Sequence, residues 1–105
     1  MLVRFPFSDL SQSKLRPAIV LADAGRGDWI LCQVTSNPYS DARALMLTDE
    51  SFHQGGLQRT SYARPATLFT ANHELMEAEV GVLTAEALRQ VIDAVVEVLY
   101  GGLEV

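Results

Sequence analysis

One cysteine, Cys32, is too few for an intramolecular disulfide. Its setting, Trp29-Ile30-Leu31-Cys32-Gln33-Val34, reads as a core strand rather than a reactive thiol. No apolar run approaches the ~18 residues that cross a bilayer. The first residues, Met1-Leu2-Val3-Arg4-Phe5-Pro6, lack a basic stretch leading into a long apolar one. The pattern predicts no membrane contact and places the chain in the cytoplasm. Two histidines, His53 and His73, lie in different polar segments and with one cysteine make no spaced zinc motif. Gly25-Arg26-Gly27 lacks the Gly-Lys-Ser/Thr ending of a phosphate loop and reads as a hairpin turn. No nucleophile elbow or paired-carboxylate motif is present, and no metal or cofactor is expected.

What is there is globular. Of 105 residues, 49% are hydrophobic and 20% charged, which excludes a disordered or low-complexity chain and sets the expectation of one domain over residues 1–105. The net charge of −5 is segregated. Residues 1–71 hold seven basic and six acidic side chains, whereas residues 72–105 hold seven acids against Arg89 alone. A locally positive surface for an anionic ligand is therefore compatible with an acidic chain.

The first two thirds read as strand. Residues 2–7 form a short apolar run, 10–15 a polar loop, and 17–21 and 29–34 two β-rich runs joined by a glycine-containing turn, a hairpin pattern. Residues 44–47 make a weaker strand, Gly55-Gly56 breaks the chain, and 61–70 form a strand whose internal Pro65 demands an edge or a bulge. Residues 85–100 are helical: Thr84 supplies a cap, Glu86 suits the first turn, and Gly101-Gly102 supplies a left-handed stop. Leu88, Val91, Ile92, Val95, Val98 and Leu99 recur at helical spacing and form the face expected to pack on the strands. Several strands followed by one helix predict a mainly β protein with α, a small barrel or half-barrel with an amphipathic C-terminal helix against it.

Chemistry concentrates at one end of the hairpin. Arg16 leads the buried strand in Lys14-Leu15-Arg16-Pro17-Ala18-Ile19, and Thr35-Ser36 ends its partner. The two are nearly equidistant from the turn, so pairing brings Arg16 level with Thr35. A permanently charged planar guanidinium beside a hydroxyl suits a phosphate. The plain alternative, a surface arginine leading its strand and a turn-forming threonine, stays open on these residues alone.

Phe5-Pro6-Phe7-Ser8-Asp9-Leu10-Ser11, Ser13-Lys14-Leu15-Arg16-Pro17-Ala18-Ile19-Val20-Leu21, Gln33-Val34-Thr35-Ser36, Gly55-Gly56-Leu57, Ser61-Tyr62-Ala63-Arg64-Pro65 and Leu68-Phe69-Thr70, in this order, resemble the MazF/PemK toxins of type II toxin–antitoxin systems. The resemblance spans nearly the whole chain. It implies an SH3-like barrel, a homodimer, an antitoxin partner with which DNA is bound, and metal-independent endoribonuclease cleavage of single-stranded RNA without a cofactor. It makes Arg16 and Thr35 the catalytic pair and Ser13, Lys14, Ser36, Ser61 and Arg64 candidate substrate contacts. Some members carry a glutamate five positions before the arginine, where this chain has Ser11. A guanidinium is a poor general base, so charge stabilisation suits Arg16 and hydrogen bonding suits Thr35. Phe7 and Tyr39 are the aromatics expected to meet bases, while Trp29 and Phe69 belong to the core and the histidines to the surface. Two other classes compete: a non-catalytic binding module on the same barrel, and a gyrase-poisoning toxin.

Overall fold

The computed structural model describes residues 2–8, 13–38, 41–76 and 78–104, with the side chains of residues 4–8 and 13–15 outside the description. Seven strands and one long helix follow one another: β1 (Leu2–Ser8), β2 (Ser13–Gly25), β3 (Asp28–Thr35), β4 (Leu45–Leu47), β5 (Phe52–Gly55), β6 (Ser61–Asn72), β7 (Ala78–Leu83) and α1 (Ala85–Gly101). All strands join one antiparallel sheet in the order β4-β6-β3-β2-β1-β7-β5.

The sheet does not close by hydrogen bonds, yet it must curl. Laid flat, seven strands at about 4.8 Å spacing would set β4 and β5 about 29 Å apart. The chain joins these two edges through residues 48–51, a single 3-10 turn, and five residue steps reach at most about 17 Å. Leu47 of β4 and Phe52 of β5 accordingly meet the same core as Leu2, Ile19, Val34 and Leu83. The result is the half-barrel of the sequence reading, open between its two short edge strands.

Pleating sorts the apolar residues by period two. Leu2, Ile19, Cys32 and Val34 face the core that α1 covers with Ala87 and Val91. Val3, Ala18, Val20 and Leu31 face a second cluster with Ala71, flanked by Trp29, Phe69 and Met76. Burial on both faces explains why β2 and β3 read as continuous apolar runs rather than alternating ones.

Pro65 is fully buried and lies past the last β4 pair, Leu45↔Ala63, so on that side β6 has no ladder partner there among the described residues. The bulge expectation holds: the β3–β6 register shifts between Cys32↔Leu68 and Val34↔Ala63, so the proline occupies residues that the ladder skips. β2 begins at Ser13, within the segment expected to be loop, because pairing with β1 continues to Ser8↔Ser13. β5 and β7 were not visible in the hydrophobic pattern. They meet where two glycines lie opposite each other, Gly55↔Gly81. A Cβ on Gly81 would fall 2.8 Å from the Gln54 carbonyl oxygen and one on Gly55 would collide with that of Val80, so side chains are excluded by backbone proximity.

Thr84 caps α1 as expected, its Oγ1 accepting from the Ala87 amide at 3.0 Å. The other end differs. Gly102 has φ −65°, not left-handed, and the chain runs on into a 3-10 turn. The seated face is also narrower than the apolar pattern: Ala87, Val91 and Val95 are buried, whereas Ile92, Val96, Leu99 and Tyr100 are exposed. No helix among the described residues is long and apolar enough to cross a membrane.

Candidate active site

The β2–β3 hairpin turns through Gly25, Arg26 and Gly27, all at positive φ. Its ladder then runs Asp23↔Trp29, Val20↔Leu31 and Ala18↔Gln33. The ladder ends at Ala18↔Gln33, two residues short of Arg16 on β2 and of Thr35 on β3. Each is held from its other side: Arg16 pairs with Phe5 of β1 and Thr35 with Tyr62 of β6. The ends of β2 and β3 therefore stand on fixed ladders.

Arg16 and Thr35 line one cavity of about 550 Å³. Ser36 continues its wall, and the β5–β6 connection closes the other side with Gly56, Leu57, Gln58 and Arg59, ending at Ser61. Four residues singled out in the sequence, Arg16, Thr35, Ser36 and Ser61, thus come together. Arg16 and Thr35 are half-buried and Ser36 is exposed. The cavity holds two arginines and no acidic residue, although the chain as a whole carries −5. Neither guanidinium has an ion-pair partner among the described residues, where the single salt bridge belongs to Arg64.

Thr35 is partly committed. Its hydroxyl donates to the Asn37 carbonyl at 3.0 Å and accepts from the Asn37 amide at 3.2 Å. The turn-former of the plain reading is therefore real, and it coexists with a place in the cavity. A hydroxyl has one donor and two acceptor sites, so one acceptor site remains for a ligand.

Ser61 plays another part. It is 5% exposed, and its Oγ donates to the carbonyl of Arg59 at 3.2 Å. It fixes the backbone that carries Arg59, a cavity residue the sequence reading passed over. The signal was present as a basic residue two positions ahead of the strand, but the contact needs the fold to be seen.

Arg64 does not line the cavity. Its Nε donates to Asp41 Oδ2 at 2.9 Å and its Nη1 to Gln33 Oε1 at 3.3 Å. Asp41 also accepts from the Arg43 amide at 3.0 Å, so Arg64 fastens the loop that follows Ser36. The Arg64 guanidinium, then the Arg43 amide, hold the Asp41 carboxyl below the usual carboxylate range. Cys32 is buried, donates to the Arg64 carbonyl at 3.2 Å and has its pKa pushed up to about 11 by burial, as suits a structural thiol.

The side chains of Ser13 and Lys14 lie outside those described, as do Ser11, Tyr39 and the ring of Phe7. His53 and His73 are both exposed and neither lines the cavity; His53 stands in β5 rather than in a loop. Trp29 and Phe69 pack on the second cluster as expected.

No protein-family model matches the chain, and no curated protein matches it in sequence. Solved structures do match in fold. The "Mycobacterium tuberculosis toxin MazF-mt6" superposes with a TM-score of 0.67 at 16% identity, covering 90% of this chain and 92% of that one. A MazE-MazF structure from Deinococcus radiodurans gives 0.73 at 23% identity over 93% and 90%. An endoribonuclease in complex with its cognate antitoxin, from a mycobacterial species, gives 0.68 at 14% over 93% and 87%. The chain has the fold of the MazF toxins.

Proposed function

We propose that residues 1–105 form a MazF/PemK-type toxin domain, an endoribonuclease that cuts single-stranded RNA in the cavity of Arg16 and Thr35. The observation that carries this reading is a cavity with two uncommitted arginines and no acid in a net-negative chain. Such a site selects a phosphodiester, and the fold is that of proteins named as endoribonucleases.

In this reading the ribose 2′-oxygen attacks the neighbouring phosphorus, the bond to the 5′-oxygen breaks, and the products are a 2′,3′-cyclic phosphate and a 5′-hydroxyl. Arg16 donates to the non-bridging oxygens as charge builds on them, which is where preorganised donors lower a barrier most. Thr35 uses its remaining acceptor site to orient the attacking 2′-hydroxyl. The proton lost there and the one gained by the 5′-oxygen exchange with solvent at the open cavity. The reaction needs no metal or cofactor.

The partners follow the same reading. An antitoxin inhibits by presenting carboxylates to the arginines that hold RNA, so inhibitor and substrate compete. A second copy covers the apolar residues that α1 leaves exposed, giving a homodimer. The compartment is the cytoplasm.

The test is incubation of the purified protein with a long single-stranded RNA in EDTA, mapping cut positions and end chemistry beside Arg16→Ala and Thr35→Ala. Discrete cuts with cyclic-phosphate ends are expected, slowed about 10²–10³-fold by Arg16→Ala in a folded protein. RNA left intact by the wild type, or cut equally by both variants, overturns the reading in favour of a binding module.

A further inference from the structure

A second cavity of about 210 Å³ adjoins the first, and Leu57, Gln58 and Arg59 form the wall between them. Its far side is built by residues from the two edges of the sheet and the turn that joins them: Leu47, Thr48, Asp49 and Phe52, with Thr60 from the β6 approach. The two hollows make one trough with a ridge, and Arg59 stands on the ridge. Ser61 holds the Arg59 backbone there through the 3.2 Å hydrogen bond to its carbonyl.

We propose that this smaller cavity takes the nucleobase next to the cut and that Asp49 selects it. The inference rests on the ribonuclease reading above and adds to it the residues that read sequence. A single strand laid along the trough places its scissile phosphate at Arg16, crosses the ridge with the adjacent phosphate at Arg59, and drops the next base into the smaller hollow. The lining suits a base. Phe52 offers an apolar ring, with Gly56 close enough to it that a Cβ there would touch the ring at 3.6 Å. Aromatic faces accept any base and carry no selectivity.

Selectivity comes from the carboxylate. Asp49 is exposed, and no ion pair or side-chain hydrogen bond engages it among the described residues. An ionised carboxylate only accepts, so it favours a base that presents an amino group and disfavours uracil, which has carbonyl oxygens on both sides of its one N–H. The threonine hydroxyls of Thr48 and Thr60 adapt to either kind of atom. Arg59 is the cation that lines the same cavity as Asp49, and it stays free for the phosphate chain. Phosphate contact by Arg59 then positions, while contact by Asp49 specifies.

The experiment is cleavage of an RNA pool randomised around a cut, with the ends sequenced, by wild type, Asp49→Asn and Arg59→Gln. The wild type is expected to prefer amino-bearing bases at one position flanking the cut. Asp49→Asn should flatten that preference by about 10- to 100-fold, raising cleavage beside uracil, and should leave the other positions and the thermal midpoint alone. Arg59→Gln should slow all sites together, keep the base preference and reduce the salt dependence. A wild-type profile retained by Asp49→Asn, or a wild type indifferent at every flanking position, overturns the assignment while the ribonuclease reading stands. A wild type that cuts no member of the pool overturns that reading and this inference with it.

Discussion

Arg64 shows how a residue type suited to phosphate can be spent on the scaffold. Its guanidinium bridges Asp41 and Gln33, so the loop after Ser36 is tied to β3 and β6 at once. The consequence is a pH dependence with a definite sign. Asp41 titrates below the ordinary carboxylate value of about 3.9, because the Arg64 hydrogen bond, then that from the Arg43 amide, favours its charged form. A depressed folded-state pKa contributes stability that is complete above the ordinary value and is lost as pH falls through the lowered one. At neutral pH the tie is therefore fully formed. Carbon-detected NMR titration should find Asp41 below the ordinary carboxylate range in the wild type, and Arg64→Gln should return it toward that range. An Asp41 that titrates normally in the wild type would mean the pair is not formed in solution. Because Arg64 has its partners, Arg64→Gln should disturb cleavage less than Arg16→Ala does.

At the scale of elements, the glycine pair Gly55 and Gly81 decides whether β5 can close on β7. Gly81→Ala drives a methyl against the Gln54 carbonyl and the Gly56 amide, both backbone atoms that cannot swing away. The expected cost is about 1–3 kcal/mol, read as a lower urea midpoint with an unchanged slope. Gly56 also lines the cavity, so cleavage should fall together with stability. A variant as stable as the wild type would show that β5 sits elsewhere. These strands are the part of the fold least legible in the sequence. Their signal is close backbone approach, which demands glycine, and glycine reads as a break in any hydrophobic pattern. By contrast, the β2–β3 hairpin and α1 announced themselves through apolar runs, turn chemistry and a cap. The candidate site was legible to the same degree. Arg16 and Thr35 follow from equal distance to one hairpin turn, whereas Arg59 and Asp49 reach the trough through the β4–β5–β6 connections, whose path depends on the curl of the whole sheet. The exposed half of α1 escaped for a related reason: helical periodicity marks an apolar stripe but not which residues the sheet covers.

Over the whole molecule, charge and apolar surface are divided between two regions with opposite responses to salt. α1 exposes Ile92, Val96, Leu99 and Tyr100 at helical spacing, beside Asp93 and Glu97. Association of two copies through this stripe buries apolar area while acids approach acids, so added salt should strengthen it by screening. Sedimentation should give twice the chain's 11.5 kDa for the wild type and the single mass for Leu99→Glu. A wild type of single mass at high protein and high salt would remove the homodimer. The proposed RNA binding runs the other way. With Arg16 and Arg59 as the two cations of the trough, each phosphate neutralised releases condensed counterions, at ~0.7 per contact on a single strand. The logarithm of the association constant should then fall against the logarithm of salt with a slope near about −1.4, and either arginine replaced by glutamine should remove about 0.7 of it. Measured on a cleavage-resistant RNA carrying 2′-deoxyribose at the cut, this separates binding from chemistry. A slope several times steeper would place further cations on the strand and make the two-arginine trough only part of the interface. A slope of zero would take the phosphates, and with them RNA, out of the cavity.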